Sequence, residues 1–416
     1  MMAKQRIISE KTETDVLIVG GGLVGGTLAV ALDAAGLRSA VIERDDPSAL
    51  LDAGFDGRAS AIALASQRMF QVLGLWDRIE PDASPILDIR VSEGDSRLFL
   101  HFDHREANGE ASGEPFGHMV ENRTIRTAIH EKLPKLPNVR LFAPAKLDFL
   151  ERTTDGVCAR LADGHIIRAR LAVAADGRNS AVRKDAGIGV TGWNYGQSAI
   201  VCTVELERSH ANVAQEHFLP SGPFAILPLT GRRSSIVWTE RTDLAPAMMD
   251  LSPSEFMAEL GSRFGDFLGE LSLVGPRWSY PLSLQFAKAA TVPRLALVGD
   301  ALHGMHPIAG QGLNMGLRDV AALAEVLCDA RRLGLDPADG AALARYERWR
   351  RFDNFVMLAS TDCLNRLFSN DVRPLRGVRD LGLSLWGRIA PLKRLSMRLA
   401  MGTLGELPRL LRGQPF

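Results

Sequence analysis

A chain of 416 residues carries 49 lysines and arginines against 49 aspartates and glutamates, so it has no formal net charge at pH 7. Proteins held to nucleic acid by phosphate neutralisation usually carry a basic surplus, and nucleic acid is not an expected partner. A hydrophobic content of 46% with 24% charged residues is ordinary globular composition, enough for two packed units or one large unit with a lobe.

Residues 14–44 read as strand, glycine turn, helix and strand. Val16-Leu-Ile-Val19 is apolar, residues 23–35 have helical apolar spacing, Gly36 sits as a C-cap, and Ser39-Ala-Val-Ile-Glu43 is the next strand. Residues 59–73 read as helical, and 75–79 continue that pattern after Gly74. From Ile86 the period changes: Ile89-Arg-Val-Ser and residues 96–102 alternate apolar and polar, as strands do. Residues 103–115 are a loop, 120–132 a helix, and 139–142 and 169–174 strands returning to the first unit. Between about 185 and 284 the runs 198–205, 215–219, 224–227 and 234–239 suggest an inserted antiparallel sheet. A helix over 253–264 would cover it, opened by Ser252 as N-cap, Pro253 in the first turn and Glu255 completing a capping box. Residues 292–298 re-enter the first unit and 312–333 form a long helix. No internal repeat is visible.

Gly20-x-Gly22-x-x-Gly25 follows a hydrophobic strand and opens a helix. Gly20 permits the tight turn, Gly22 lets a pyrophosphate approach the backbone, and Gly25 lets helix and strand pack closely. Glu43, with Arg44 beside it, ends the next strand about 20 residues on, where a carboxylate accepts ribose hydroxyls. That acid argues against a 2′-phosphate, so the ligand is FAD or NAD rather than NADP. A second nucleotide motif lies near residue 300. Gly299-Asp300 follows a buried strand, and Asp300 is either a helix N-cap or an acceptor for a ribityl hydroxyl. Gly310-Gln311-Gly312-Leu313-Asn314 then opens a helix whose N–H groups can face negative charge developing on a reduced flavin. His306 and Pro307 precede this turn and would sit beside the isoalloxazine edge. A simple NAD domain needs only the first motif, whereas FAD needs both. Asp176-Gly177, after the strand at 169–174, is a common turn when read alone.

The threefold set of Gly20 to Gly25, Ala174-Ala-Asp-Gly-Arg-Asn-Ser-Ala-Val-Arg183 and Gly299 to Asn314 resembles the single-component FAD-dependent aromatic hydroxylases. Within them it resembles the ubiquinone-biosynthesis hydroxylases. Residues 212–229, Leu367-Phe-Ser-Asn370, Leu381-Gly-Leu383 and Pro391-Leu-Lys393 are similar to that branch, whereas Leu302 departs from the alanine often found in its place. The resemblance implies that Asp176 and Gly177 touch both FAD and NAD(P)H, and that Arg178 and Arg183 meet the phosphates of the reductant. It also implies that Arg58 packs on the FAD pyrophosphate and Asn122 meets the ribityl chain. The implied activity is hydroxylation of a polyprenyl phenol with NAD(P)H and O2, in which the cofactor carries the chemistry and the protein holds the ring and excludes water. No general base stands out. A hydroxylase of small soluble aromatics and a non-catalytic flavin-binding scaffold are the rival readings.

The expected fold is α/β, a Rossmann-like FAD-binding domain of residues 1–85, 115–184 and 285–365 with an inserted antiparallel-sheet substrate domain of 86–114 and 185–284. Residues 366–416 would be a C-terminal helical segment. From Arg373 to Arg412 cations outnumber acids and are interleaved with Leu385, Trp386, Ile389, Leu395 and other apolar residues, a composition suited either to a membrane surface or quinone-biosynthesis complex or to packing on the protein itself. Cys158, Cys202, Cys328 and Cys363 form no CxxC, and the pair His303 and His306 has no third ligand, so no metal is expected. With no signal-peptide h-region and no run of about 18 apolar residues, a cytoplasmic protein is expected, peripheral at the inner face of the membrane if the tail binds there.

Overall fold

The computed structural model describes residues 11–50, 57–94, 99–107, 113–368 and 389–416. At its centre is a six-stranded sheet in the order Thr291–Val292, Leu295–Leu297, Leu171–Ala174, Val16–Val19, Ser39–Ile42, Val139–Phe142. Five of these strands are parallel, and Thr291–Val292 turns back antiparallel at one edge. Val16–Val19, Ser39–Ile42 and Leu171–Ala174 are buried at every position, which is why they read as unbroken apolar runs. The helix Leu23–Ala34 packs against the helices Gly312–Arg332 and Asn122–Lys132. Gly26 permits the second contact, because a Cβ there would meet Ile129 Cγ2 at 2.5 Å.

An eight-stranded sheet forms the second layer, in the order His303–Gly304, Leu271–Ala287, Val190–Leu206, Arg233–Arg241, Gly222–Pro228, Val213–Leu219, Asp88–Glu93, Phe99–Asp103. Residues from before 104 and after 190 thus share one sheet. The expected antiparallel pattern holds except where Val213–Leu219 runs parallel to Asp88–Glu93. The helix Pro253–Phe264 closes the outer face over Phe224, Ile226 and Trp238, and carries the expected Ser252–Glu255 capping box. His303–Gly304, part of the second nucleotide motif, is itself an edge strand of this sheet, pairing with Gln285 and Phe286.

Several element boundaries differ from expectation. Residues 59–63 are a strand, Ala59–Ala63, and the helix begins only at Leu64. They pair antiparallel with Gly117–Glu121, so Val120 also lies in a strand and the next helix starts at Asn122. Alanine-rich segments follow whichever partner tertiary packing supplies. The run 169–174 is divided: Ile166–Ala169 joins a four-stranded sheet with Lys11–Glu13, Val157–Leu161 and Leu147–Arg152, while Leu171–Ala174 enters the central sheet. The 29-residue helix Gly340–Phe368 had no sequence expectation.

The tail from residue 389 is partly resolved into its two readings. In the helix Ala390–Ala400 and the turn after it, Met397 and Met401 enter an apolar cluster with Leu64 and Met119, and Leu410 and Leu411 enter the main core. Arg409 pairs with Glu325 and Asp329. Ile389 and Leu395 remain exposed. Leu385 and Trp386 lie outside the described residues. Among the described residues no helix is long and apolar enough to cross a membrane.

Candidate active site

The first glycine turn is shaped by close approaches on one side and open space on the other. Gly20 has φ +102°, and its N–H donates to the Ile42 carbonyl at 2.8 Å. A Cβ on Gly20 would collide with the Ala175 carbonyl, and one on Gly25 with the Gly20 carbonyl. Gly22 differs, because a Cβ there would meet no atom within 4 Å. It caps the helix Leu23–Ala34, whose first turn has no side-chain cap. Unpartnered N–H groups facing open space are what a pyrophosphate requires. Glu43 is buried at the strand end, its Oε2 accepting from Gly21 N at 2.7 Å and its Oε1 from Asp45 N at 3.0 Å. These bonds fix the carboxylate and leave further lone pairs for ribose hydroxyls. Arg44 is exposed and its guanidinium is engaged with Asp45.

The second motif is held from beneath by a buried acid that the sequence did not single out. Asp319 Oδ2 accepts from Gly299 N at 3.0 Å and from His303 Nε2 at 2.7 Å, while Oδ1 accepts from Arg350 Nε at 2.8 Å. Burial alone would raise the Asp319 pKa, but His303 and Arg350 outweigh it and hold the carboxyl below its ordinary range. Gly299, at φ +58°, lies against Val24 of the first glycine turn, so the two motifs meet. Asp300 is exposed, without a partner among the described residues, and is not the helix N-cap, since Val298 takes that place. His306 is fully buried with neither ring nitrogen hydrogen-bonded, and its ring meets Tyr195 edge-on at 5.4 Å. Burial pushes its pKa down to about 4, so it is a neutral imidazole at pH 7. His303 and His306 therefore have separate environments. Among the described residues no three His, Cys, Asp or Glu side chains converge on a metal position.

Beyond Pro307, the turn reaches Gly310, whose φ is +60° and where a Cβ would press on Ala61. Gly312 opens the helix Gly312–Arg332 with free space around it, and Leu313 packs on the main core. Asn314 does not extend its side chain outward. Its Oδ1 accepts from Ala63 N at 3.0 Å and its Nδ2 donates to Ala61 O at 2.8 Å, so it fastens the turn to the strand Ala59–Ala63. Gln311 Nε2 reaches Ala400 O at 3.4 Å, tying the same turn to the tail.

In the third motif Asp176 Oδ2 accepts from Ala181 N at 2.9 Å, whereas Oδ1 is buried with no partner. Gly177, at φ +81°, has open space where a Cβ would stand. Arg183 cannot meet a reductant phosphate as expected. It is buried, with Nη1 donating to Ala301 O at 2.8 Å and Nη2 to Arg178 O at 2.9 Å, so it is a strut between the second and third motifs. Arg178 is half-buried and donates to Ser283 Oγ at 2.7 Å. The Arg58 guanidinium lies 5.0 Å from the centre of the Tyr280 ring, and the Arg58 carbonyl accepts from Asn122 N. Asn122 Oδ1 accepts from Ser60 Oγ at 2.6 Å. Asp319 stands beside Arg318 before an apolar run, and Arg350 lies in a charged stretch with Arg348, Arg351 and Asp353, so neither carried a distinguishing signal in the sequence.

A Rossmann-type sheet with two facing glycine turns, joined to a large second sheet through one of them, defines a flavin-dependent oxidoreductase fold. Residues 13–352 match the FAD binding domain family. The chain is 59% identical over 405 residues to ubiquinone hydroxylase UbiL of Rhodospirillum rubrum, covering 97% of this chain and 93% of that protein. It is 37% identical over 391 residues to 3-demethoxyubiquinol 3-hydroxylase of Escherichia coli, covering 94% and 98%. The crystal structure of p-nitrophenol 4-monooxygenase PnpA from Pseudomonas putida superposes with a TM-score of 0.79 at 22% identity, covering 96% of this chain and all of that one. The chain belongs to the FAD-dependent monooxygenases of the FAD binding domain family, alongside the ubiquinone hydroxylases. FAD is its cofactor.

Proposed function

We propose that this chain hydroxylates the aromatic ring of a polyprenyl phenol intermediate of ubiquinone biosynthesis, using NAD(P)H and O2. The observation that supports this reading most is the pairing of His303–Gly304 with Gln285 and Phe286. It makes the turn that would hold the flavin continuous with the sheet that would hold the ring, with unpartnered His306 between them. The ubiquinone hydroxylases matched over nearly their full length support the substrate class.

The open space over Gly22 and Gly312, the unpartnered Asp176 Oδ1 and the unpartnered His306 fit a bound dinucleotide. Gly20, Gly22 and Gly25 would shape the pyrophosphate turn, Glu43 would hold the adenosine ribose, and Arg44 and Arg58 would lie at the pyrophosphate side. Asp300 and Asn122 would hold the ribityl chain, Asn122 from the start of its helix. Gly299, Gly310, Gln311, Gly312, Leu313 and Asn314 would form the wall beside the flavin through backbone groups, and Asp176 and Gly177 would meet both FAD and the nicotinamide. When bound, FAD supplies the chemistry that passes one atom of O2 to the ring. His306 and Pro307 would contact the reacting region, where the neutral imidazole can donate or accept one hydrogen bond without adding charge.

The test is direct. Purified holoprotein should oxidise NAD(P)H faster with 2-geranylphenol present, and mass spectrometry should find a product one oxygen atom heavier. Oxidation that ignores the phenol, with no oxygenated product, would refute the reading. We also propose peripheral contact with a membrane through the exposed Ile389 and Leu395 and the exposed cations Arg394 and Arg398 of the tail. A polyprenyl tail is insoluble in water, which gives such contact a purpose.

A further inference from the structure

Glu216 stands in the middle of the strand Val213–Leu219, and the sheet register settles which way its side chain faces. It lies opposite Val91 on one neighbouring strand and Ala225 on the other, so the three share a face. Phe218, two residues along on that face, packs with Ile308 and Phe368, and Val91 joins the same cluster. Ile308 directly follows Pro307 in the second motif. Across the sheet, Ala225 lies opposite Val237, which packs with Tyr195 and Tyr280, and Tyr195 is the ring that meets His306. The other face of the sheet is closed by the helix Pro253–Phe264. The Glu216 carboxyl therefore points into the interior between the substrate sheet and the flavin turn.

A carboxyl group in such a place is normally paired. Glu216 makes no hydrogen bond or ion pair with any described residue, and it is half-buried. Several charged and titratable groups face this region. Arg58 lies over the Tyr280 ring, and Tyr195 donates to Asp362. Glu93 is on the same face, opposite Phe218, and has a partner of its own. The turn contributes His306, which is neutral. The helix Gly340–Phe368 contributes Asp362 and Arg366, which are paired with each other. Arg233 and its cross-strand neighbour Glu205 lie further along the sheet, with Arg233 against Glu121. None of these offers Glu216 a counter-ion, so nothing within the described protein accounts for a carboxyl group here.

We propose that Glu216 accepts the proton of the substrate's ring hydroxyl, and so is the general base of the hydroxylation. This rests on the hydroxylase reading above. One proton moves and no electrons do: the phenol O–H bond breaks, a Glu216 Oε–H bond forms, and the electron pair remains on the ring oxygen. The ring carbons ortho and para to it become more electron-rich, which is what oxygen transfer to a phenol requires. The proton returns to the product oxygen before release. Burial pushes the Glu216 pKa up to about 7, so the group is poised near working pH for taking and returning a proton.

The experiment uses holoprotein, NAD(P)H, O2 and 2-geranylphenol. Wild-type turnover comes first, because absence of oxygenated product from any phenol overturns the hydroxylase reading and this proposal together. With wild type active, Glu216→Gln should keep its full flavin content and its rate of flavin reduction, while kcat for product falls about 100-fold or more and KM changes much less. Wild-type kcat should rise with pH through an inflection near 7 that the Gln variant lacks. A more acidic, ring-fluorinated 2-geranylphenol should narrow the deficit of the Gln variant, which damage to packing would not do. Glu216→Asp should retain the inflection at a lower rate, and serves if the Gln variant folds poorly. A Gln variant with wild-type kcat and an unchanged pH profile, or an Asp variant with no loss of kcat, would overturn the Glu216 assignment alone.

Discussion

Among single residues, the glycines separate ligand space from packing space. A Cβ on Gly22 meets nothing within 4 Å, whereas one on Gly25 meets the Gly20 carbonyl. Gly22→Val should therefore give a folded protein, with an unchanged apoprotein melting temperature, that purifies colourless. Gly25→Ala should lower stability whether or not flavin is added. Asp300→Ala belongs with the first kind, since Asp300 is exposed and unpartnered. Losing one charge-assisted hydrogen bond of about 1.5–3 kcal/mol should weaken FAD binding by roughly 10- to 100-fold. Flavin titration of the apoproteins reads all three, and a yellow Gly22→Val protein with wild-type affinity would exclude this placement of the pyrophosphate.

At the scale of elements, the helices Gly312–Arg332 and Gly340–Phe368 are joined by Asp319 and Arg350, and through Asp319 they hold the strand end at Gly299. Asp319→Ala leaves the Arg350 guanidinium buried with one partner fewer. Breaking a buried pair in this way costs about 3–5 kcal/mol, so thermal denaturation should show a marked loss of stability. The pH dependence has a definite sign. Because the folded-state pKa of Asp319 is depressed, its contribution is present above the ordinary carboxylate value and is lost as pH falls through the lower folded value. Asp319→Asn should accordingly be closest to wild type in strong acid and furthest from it near neutrality. A constant difference across that range would show that charge plays no part in this joint.

For the whole molecule, the C-terminal tail is a component of the core as well as a surface. Met397, Met401, Leu410 and Leu411 are buried, and fully burying such a side chain contributes about 1.5–3 kcal/mol. Truncation before residue 373 would remove all four, so it should lower the melting temperature of the protein markedly. Membrane contact is better tested by Ile389→Ser with Leu395→Ser, both at exposed positions. Flavin content should be unchanged, flotation with anionic vesicles should fall, and added salt should weaken flotation of the parent protein. Equal flotation of parent and variant would leave the tail with its packing role alone.

The sequence by itself determined the backbone shape of the turns. Gly20, Gly22 and Gly25 after an apolar strand, Glu43 after the next, and a second glycine-rich turn at 299–314 were legible because backbone constraints at a dinucleotide site act over a few consecutive residues. The Ser252 capping box was legible for the same reason. Only the tertiary structure decided what Ala59–Ala63 would become, since alanines follow whichever partner strand packing provides. It also decided that Asn314 and Arg183 would turn inward to backbone carbonyls rather than toward a ligand. Asp319 with Arg350, separated by 31 residues, and Glu216, opposite Val91 and Ala225 on the inner face of the large sheet, leave no local pattern. Their chemistry arises from burial and from which charges packing brings together, and neither is a property of neighbouring residues in the chain.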